Sequence, residues 1–564
     1  MLYLTEFIAI FLTIFFLWLL IPILGRYIAR VFTDKPTKLD IIFYPIEEWI
    51  YKLIGTNPSE QMDWKEYAIA MLFTNLFFGL FAFVILSYQS SLPMNYFSSS
   101  NMGWSLAMHT TISYLTNTDF QHFNPVTQIS MFSELFAIML LLFVSPATGM
   151  SVGIAFIRGM KNVNGKIGNF YVDFIRSITR ILLPMSFLFA LLLSILGVPD
   201  TFTPFLLLHT INGNTALLPL GVNSSHTAIE LLGTNGGSYI NGGNSNPLSD
   251  PSGTTIFIET LMMLLLPFSV IDAFGQMIKK RNESRILLLV VFILFLFGTL
   301  SVTLIEMQGN PFLLSIPHLV ANNGNYFGKD TRFGIPYSSF AQAVSVYTNT
   351  GATFTNLDML LPGSQIVLLF GMFIQSIPGG VGVGFSTLLL YTILAVFLGA
   401  LMVGKSPEYL GKKIEIKDVK YTSLGLIIHP IIIIVPFVIT LLLNPYNAVS
   451  YSPHNLTEIL YEFTSEAANN GSSMYVNDNN LFFNIAGLLV MIVGRYMPIV
   501  VFLAVAGNMS RKKVKKSEEG TLKTSSITFG IYLIGVILIL GALLFLPVIA
   551  VGPLREFMEL LKYA

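Results

Sequence analysis

The feature of this sequence that most constrains its fold is a set of ten apolar stretches, each long enough to cross a membrane as a helix. A helix needs about 20 apolar residues to span the hydrocarbon core of a bilayer. Only 11% of the 564 residues are charged and 53% are hydrophobic, whereas about 25% of a typical soluble chain is charged. The sequence therefore predicts an all-α, multi-pass membrane protein surrounded by a lipid bilayer. The predicted spans are 4–24, 67–87, 129–157, 179–197, 254–275, 286–307, 364–403, 423–443, 482–506 and 527–550.

Basic residues predict the orientation of these spans. Clusters of lysine and arginine follow every odd-numbered span, whereas the loops after even-numbered spans are poor in both. Because positive residues are enriched in cytoplasmic loops, we expect both termini outside and the protein in the plasma (inner) membrane. The first apolar run has no basic region before it, so we expect a retained helix rather than a signal peptide. We interpret the basic cluster 511–516 as a solvated cytoplasmic linker, with a lipid head-group site as the alternative.

A fourfold internal repeat occupies the outside loops after spans two, four, six and eight. Each loop runs from a short apolar stretch into a cluster of Thr or Ser, Asn and Gly. The clusters contain Asn117, Asn235, Asn349 and Asn469 at intervals of roughly 114–120 residues, and such regular spacing indicates duplication. Spans two to nine therefore form four membrane–pore–membrane repeats around a central axis, with one extra helix at each end.

The repeats divide the chain into six predicted parts. A first transmembrane helix with its cytoplasmic loop precedes the four repeats, and the last transmembrane helix follows them. Repeat 3 contains a broken second helix. The predicted boundaries are 1–65, 66–165, 166–283, 284–421, 422–515 and 516–564.

The four clusters suit a dehydrated monovalent cation. Potassium must lose its water to be distinguished from sodium, and rings of backbone carbonyls replace that water in known channels. Glycine adopts the backbone angles that such loops need, and Gly236, Gly237 and Gly351 lie in the clusters. A carboxylate would slow ion release, so we expect Asp119 and Glu466 at the rim of the filter or behind it. One such cluster alone is typical of an ordinary turn, but four in equivalent places favour a filter.

The predicted span 364–403 is too long for one straight crossing, and a Pro-Gly-rich run lies in its middle. Proline removes a helix hydrogen bond and glycine adds backbone freedom. We expect the run to form an intramembrane gate below the third filter, through Gly379, Gly380, Gly382 and Gly384. The alternative is a kink that serves only packing.

Arg495 lies inside the ninth predicted span. A charge there is costly in lipid and marks a functional candidate. It could repel potassium below the filter or pair with carbonyl groups of the gate, and a purely structural ion pair is the alternative. Glu259 and Glu306 are the candidate partners.

Four runs of residues resemble the family of potassium-binding subunits of Kdp-type pumps (KdpA): 232–237, 350–352, 407–414 and 467–472. The resemblance covers nearly the whole chain. It implies a potassium-transporter fold that receives K⁺ from outside, a separate P-type ATPase subunit that hydrolyses ATP, and two small subunits. The implied filter residues are Thr116, Asn117, Thr118, Thr234, Asn235, Gly236, Asn349, Thr350, Gly351, Ala468, Asn469 and Asn470. Ser238, Gln375 and Lys405 depart from the family pattern, which puts fine selectivity and ion hand-off in question.

Other chemistries are not supported by the sequence. The chain has no cysteine and no net charge, which disfavours thiol chemistry and nucleic-acid binding. It has no Walker A motif, and its seven histidines show no metal-ligand spacing. The run 34–37 only faintly resembles the phosphorylated motif of P-type ATPases. We therefore expect a non-catalytic subunit without an ATP site.

Two other functions compete with this interpretation. A free-standing Trk/Ktr-type potassium transporter or channel, driven by the membrane potential, is the first; the tenth span and the run 407–414 argue against it. A transporter of small organic solutes is the second. Such folds usually contain inverted repeats of broken helices, whereas this chain has four repeats of like orientation.

Overall fold

The computed structural model describes residues 3–314, 324–443, 452–474, 480–514 and 520–563. Within these ranges, ten helices are long and apolar enough to cross a membrane, which confirms the predicted number. The predicted boundary between residues 515 and 516, and the end of the basic cluster 511–516, lie outside the described residues. The ten helices are Leu4–Val31, Trp64–Ser87, Met131–Lys161, Phe170–Ile195, Gly253–Ile278, Arg281–Gln308, Val383–Met402, Ile416–Leu443, Leu481–Ser510 and Ile527–Ile549.

Eight of these helices form four repeats, and a shorter pore helix lies between the two spanning helices of each repeat. The pore helices are Trp104–Leu115, Asn223–Leu232, Gly334–Tyr347 and Pro453–Ala468. In each repeat the second spanning helix is more buried than the first, with buried fractions of 61–83% against 33–61%. We call these the inner and outer helices. The first and last spanning helices of the chain are the two extra helices.

Several inner and outer helices are irregular. The inner helix of repeat 1 contains a π-helical turn at Glu134–Ile138, and the outer helix of repeat 2 contains one at Ser177–Leu182. The inner helix of repeat 3 consists of two separate helices, Pro362–Ile374 and Val383–Met402. The predicted span 364–403 is thus broken, as its sequence indicated.

Short elements connect the spans. Two antiparallel hairpins pair Phe205–His209 with Thr215–Pro219 and Glu408–Tyr409 with Lys412–Lys413. In the first hairpin Phe205 lies opposite Pro219, and in the second Glu408 lies opposite Lys413. The short helices are Asp40–Ile54, Pro125–Gln128, Pro311–Leu314 and Pro553–Leu560, and the 3₁₀ turns are Gln89–Ser91, Gly243–Ser245, Leu357–Met359 and Leu561–Tyr563.

Large apolar side chains cover the outside of the helix bundle. Phe11, Phe73, Ile195, Leu442 and Leu543 are all more than half exposed on spanning helices. In water such a surface would drive aggregation, but in hydrocarbon it is the expected one. The bundle therefore presents an apolar surface to lipid and packs its inner helices inside that surface.

Small residues let the inner helices approach closely. A Cβ added at Gly159 would lie 2.6 Å from the Cβ of Ala506, so the inner helices of repeats 1 and 4 are in backbone contact there. The side chain of Lys412, on the second hairpin, reaches this point. Its Nζ donates to the carbonyls of Gly159 (3.0 Å) and Met509 (2.8 Å) and also to that of Asn162. One ammonium group therefore caps the C-terminal ends of both inner helices.

Candidate functional site

Four filter segments follow the four pore helices, and their backbones have a common geometry. We define them as residues 116–119, 233–236, 348–351 and 468–471. The second residue of each has a positive φ: 64° at Asn117, 52° at Thr234, 51° at Asn349 and 51° at Asn469. The next residue donates its N–H back to the pore helix over 2.8–2.9 Å. Those bonds run from Thr118 to Ser113, Asn235 to Glu230, Thr350 to Ser345 and Asn470 to Ser465.

This geometry corrects the predicted alignment of the repeats. Thr234, not Asn235, is equivalent to Asn117, and Asn235 is equivalent to Thr118. The predicted triplets 234–236 and 349–351 are therefore one residue further along than 116–118 and 468–470. Asparagine is among the few non-glycine residues that tolerate positive φ, so it marks this position in three repeats. Repeat 2 has a threonine there, and the neighbouring asparagine misled the alignment.

Backbone carbonyl oxygens from three repeats converge on the fourth. A Cβ added at Gly236 would lie 2.8 Å from the carbonyl oxygen of Thr350, 3.1 Å from that of Thr118 and 3.3 Å from that of Asn470. A Cβ at Gly351 would overlap the carbonyl of Asn470. Because Thr118, Thr350 and Asn470 occupy equivalent positions, the structure brings the four segments around one centre. At Gly236 and Gly351 a side chain would press against these carbonyl groups, so glycine keeps the centre open there.

Asparagine side chains hold neighbouring segments together. Asn117 donates to the carbonyl of Thr234, Asn349 donates to that of Ala468 (3.1 Å), and Asn469 donates to the Thr118 hydroxyl (3.0 Å). These bonds join repeat 1 to 2, repeat 3 to 4 and repeat 4 to 1. The side chains therefore brace the segments, and the backbone carbonyls are the groups that an ion would meet.

Asn235 and Asp119 show how repeats 1 and 2 differ from the others. Asn235 donates to the carbonyl of Leu142 (3.0 Å) and accepts from the Ser145 hydroxyl (3.0 Å), so it fixes segment 2 to the inner helix of repeat 1. Asp119 takes the position that glycine fills in the other repeats, at a φ of 55°. Its carboxylate accepts from the N–H of Gly236 (3.1 Å). The carboxylate thus braces the neighbouring segment.

The pore helices add an electrostatic contribution. Each one ends at its filter segment, at Leu115, Leu232, Tyr347 or Ala468. The C-terminal end of a helix carries a partial negative charge. Four such ends near one centre favour a cation there without placing a full carboxylate in contact with it.

A loop at residues 375–382, which we call the crossing loop, joins the two halves of the inner helix of repeat 3 and lies against the filter. The N–H of Gly379 donates to the carbonyl of Tyr347 (3.0 Å), and that of Val381 donates to the Thr234 hydroxyl (3.1 Å). A Cβ at Gly380 would lie 3.5 Å from the same hydroxyl. The crossing loop therefore contacts the starts of segments 2 and 3.

The far side of the crossing loop packs on the inner helix of repeat 1. Gly382 has a φ of 75°, and a Cβ there would overlap the carbonyl of Gly149. A Cβ at Gly153 would lie 3.0 Å from the Cα of Gly382. Val383 begins the following helix, so Gly384 is helical and does not belong to the loop as predicted. The structure therefore places Gly379, Gly380 and Gly382 in the loop.

Arg495 lies beside the crossing loop, bound to a carbonyl. Its Nη2 donates to the carbonyl of Ser145 (2.9 Å), and its Nε has no hydrogen-bond partner among the described residues. A Cβ at Gly149 would lie 2.5 Å from the carbonyl of Val381 and 3.2 Å from Nη2 of Arg495. The arginine and the loop are thus neighbours.

The predicted carboxylate partners of Arg495 are wrong. Glu259 accepts from Asn244 (3.1 Å), and Glu306 forms an ion pair with Lys329 (2.8 Å). Each carboxylate thus has a polar partner other than Arg495, and the order of residues alone did not reveal these partners.

The three departures from the family pattern lie at different places. Ser238 donates to the carbonyl of Ile240 (2.9 Å) just after segment 2. Gln375, at the start of the crossing loop, donates to the carbonyl of Ala467 (3.4 Å). Lys405 donates to the carbonyl of Thr521 (3.1 Å), away from the filter. Ser238 and Gln375 are therefore the two that lie near the candidate ion path.

Four pore helices, four converging backbone segments and a loop against them define a membrane protein with a channel-like filter formed by a single chain. Residues 10–558 match the family described as "Potassium-transporting ATPase A subunit". The chain belongs to this family, which confirms the resemblance found in the sequence.

Relatives and a solved structure agree with that assignment. The potassium-transporting ATPase potassium-binding subunit of Anabaena sp. (strain L31) is 40% identical over 96% of each chain. The protein of the same description from Geobacillus kaustophilus is 38% identical over 97% of this chain and 98% of its own. The crystal structure of the potassium transporter TrkH from Vibrio parahaemolyticus has a TM-score of 0.52 at 15% identity, and covers 88% of this chain and 97% of its own. The last likeness concerns the fold alone.

Proposed function

We propose that this chain binds extracellular K⁺ in its four filter segments and passes the ion inward within an ATP-driven potassium import complex. The observation that carries the proposal is the convergence of the carbonyl oxygens of Thr118, Thr350 and Asn470 on Gly236. Neutral backbone oxygens around one centre are the ligands that replace the hydration shell of K⁺ in selective pores. The proposed filter residues are those of segments 116–119, 233–236, 348–351 and 468–471.

The family supports the proposed complex. Relatives at 38–40% identity are described as the potassium-binding subunit of a potassium-transporting ATPase. ATP hydrolysis then belongs to a separate P-type ATPase subunit, with two small subunits completing the assembly. The basic loops face the cytoplasm, and both termini face outside a plasma (inner) membrane. The six-part division of the chain predicted above stays a prediction.

The crossing loop is the proposed gate. It is bonded to Thr234 and Tyr347 at the filter and packs on Gly149 at the opposite side. Arg495 adds a positive charge next to it, bound to the carbonyl of Ser145. A cation leaving the filter would meet the glycine-rich part of this loop, Gly379 and Gly380, and then a repelling guanidinium group. Arg495→Gln would remove that repulsion.

The function is tested by purification from the native membrane in mild detergent, followed by an ATPase assay with K⁺ or Na⁺. We expect a P-type ATPase to co-purify and K⁺, but not Na⁺, to stimulate hydrolysis. If the chain instead purifies alone and conducts K⁺ in liposomes, it is a free-standing transporter and the pump-subunit proposal fails.

The gate is tested with Gly380→Ala in the purified complex. A methyl group fits at Gly380, 3.5 Å from the Thr234 hydroxyl, but it narrows the space between loop and filter. We expect slower K⁺-stimulated ATP turnover with an unchanged K⁺ concentration for half-maximal stimulation. Gly253→Ala, at a position with no atom within 4 Å of the added carbon, is the control. Unchanged turnover in Gly380→Ala would contradict a gating role.

A further inference from the structure

A buried cluster of His109, His122 and Glu466 lies next to the filter but outside it. His109 is on the pore helix of repeat 1, His122 follows segment 1 by three residues, and Glu466 is near the end of the pore helix of repeat 4. Nε2 of His109 lies 3.8 Å from Oε1 of Glu466, and the two imidazole rings stack with their centroids 4.0 Å apart. One potential ligand atom from each residue lies within 4.8 Å of the other two. The cluster could not be predicted from the sequence, because Glu466 is distant along the chain from the two histidines.

Several polar atoms of the three side chains in this cluster are buried without a hydrogen-bond partner. The three residues are at most 4% exposed. Both ring nitrogens of His109, Nε2 of His122 and both carboxylate oxygens of Glu466 have no hydrogen-bond partner among the described residues. Buried polar atoms are nearly always paired with protein, water or an ion. Five unpartnered atoms on three neighbouring buried side chains, with one atom from each within 4.8 Å of the other two, therefore indicate a missing ligand.

The remaining contacts orient the side chains for an ion. Nδ1 of His122 lies 2.7 Å from Oδ1 of Asn484, so the ring donates there and its Nε2 keeps a free lone pair toward the cluster. A metal-binding histidine is usually held in this way, through its other nitrogen. Gly487 makes the space for the carboxylate, since a Cβ at this position would overlap Oε1 of Glu466.

We propose that His109, His122 and Glu466 bind one divalent transition-metal ion, with Zn²⁺ as the expected ion. Two imidazole nitrogens and a carboxylate oxygen are typical Zn²⁺ ligands, whereas they do not suit K⁺. A tetrahedral ion with bonds of about 2.0–2.2 Å holds its ligands roughly 3.3–3.6 Å apart. Nε2 of His109 and Oε1 of Glu466 are already 3.8 Å apart, and one of the two stacked rings must turn so that its lone pair also points at the ion. A carboxylate oxygen of Glu462, 3.9 Å from Nε2 of His122, is close enough to supply a fourth ligand.

A proton is a weaker explanation than a metal ion. One proton shared between His109 and Glu466 satisfies two of the five atoms and leaves the other three without a partner. Two protonated imidazoles would repel each other across a 4.0 Å stack. A divalent ion accepts lone pairs from all three residues at once and offsets the carboxylate charge.

The bound metal ion would have a structural role. It joins the pore helices of repeats 1 and 4 a few residues from segments 1 and 4, where their spacing sets the size of the filter. A metal ion there would fix that spacing without entering the potassium path.

The test uses the purified complex that contains this chain. We expect about one zinc per chain by elemental mass spectrometry, falling to background in His109→Gln and in Glu466→Gln. His429→Gln is the matched control: His429 is also a buried histidine, but its ring contacts the carbonyl of Met372 outside the cluster. It should keep the zinc.

A second measurement does not depend on how well the variants fold. Chelator-treated wild-type complex should unfold at a higher temperature after Zn²⁺ is added back, and Co²⁺ should give the visible absorption of a tetrahedral site. If the purified wild-type complex contains no stoichiometric zinc, and neither Zn²⁺ nor Co²⁺ produces these changes, the proposal is wrong. Equal zinc content in the wild type and in both cluster variants would also overturn it.

Discussion

At the scale of single residues, the filter depends on backbone conformations that few residues adopt. Each segment has its second residue at a positive φ, and Gly351 and Gly471 add another at 77° and 95°. Side chains other than glycine cost roughly 1–2 kcal/mol in this region, and asparagine and aspartate tolerate it best. The asparagine and glycine content of the segments is therefore a consequence of geometry rather than direct ion binding by their side chains.

Gly351→Ala tests this argument. The added carbon would strain a φ of 77° and overlap the carbonyl of Asn470, so the filter must widen or distort. We expect the K⁺ concentration for half-maximal ATPase stimulation to rise at least about tenfold, which corresponds to roughly 1.4 kcal/mol. Gly535→Ala, on the last spanning helix with no atom within 4 Å, should leave it unchanged. An unaltered K⁺ dependence in Gly351→Ala would show that segment 3 is not part of the filter.

The sequence predicted the four segments that follow the pore helices better than it predicted their alignment. Short apolar stretches and turn-forming Asn or Gly residues are local signals, so the sequence indicates all four turns, whose role as an ion filter stays a proposal. The one-residue shift in repeat 2 was missed because Thr234 replaces the asparagine, and the hydrogen bond from Asn235 to Glu230 cannot be seen in composition. Contacts between distant residues, such as Arg495 with Ser145 or His109 with Glu466, leave no regular spacing along the chain.

At the scale of elements, local features could again be predicted from the sequence, whereas contacts between distant elements could not. The ten spans and the break in the seventh follow from apolar length and from Pro and Gly, which act locally. The role of the run 407–414 depends on contacts with distant helices and could not be predicted in this way. It forms the small hairpin whose Lys412 caps two inner helices that are distant in sequence. A cation at a helix C-terminus also interacts favourably with the helix dipole.

Lys412→Met should therefore destabilise the packing of the inner helices of repeats 1 and 4. The substitution removes a charged donor to three carbonyls, and each such bond contributes roughly 1.5–3 kcal/mol. Allowing for partial rearrangement, we expect a loss of about 2–4 kcal/mol in the free energy of unfolding. Thermal unfolding in detergent, followed by tryptophan fluorescence, measures it. Lys413→Met, at the exposed neighbouring position, is the control, and equal stability of the two variants would exclude the capping role.

At the scale of the whole molecule, one histidine connects three parts of the chain. His454, at the start of the pore helix of repeat 4, donates from Nδ1 to Glu556 (2.8 Å) and from Nε2 to Asp358 (2.7 Å). Glu556 is on the short helix Pro553–Leu560 near the end of the chain. Hydrogen bonding to Glu556, with a further contribution from Asp358, raises the pKa of His454 to about 9 despite its partial burial.

This contact should make part of the stability depend on pH. The folded-state pKa of about 9 lies above the ordinary value of 6.5, so protonation favours the folded state. The contribution is complete below pH 6.5, falls between pH 6.5 and 9, and is absent above pH 9. The difference in melting temperature between wild type and His454→Gln should follow this profile. His209→Gln, on the exposed strand Phe205–His209, is the control variant. If the difference in melting temperature between wild type and His454→Gln does not change with pH, the role assigned to protonated His454 is wrong.

The four filter segments belong to one gene product, and their residues are not the same. A pore assembled from identical subunits changes at four places with every mutation. Here, Asp119 can occupy a position at which the other repeats have Gly236, Gly351 and Gly471, and Thr234 can replace an asparagine. A single mutation therefore changes one filter segment and leaves the other three unchanged, so natural selection can adjust the ion preference of this pore in smaller steps.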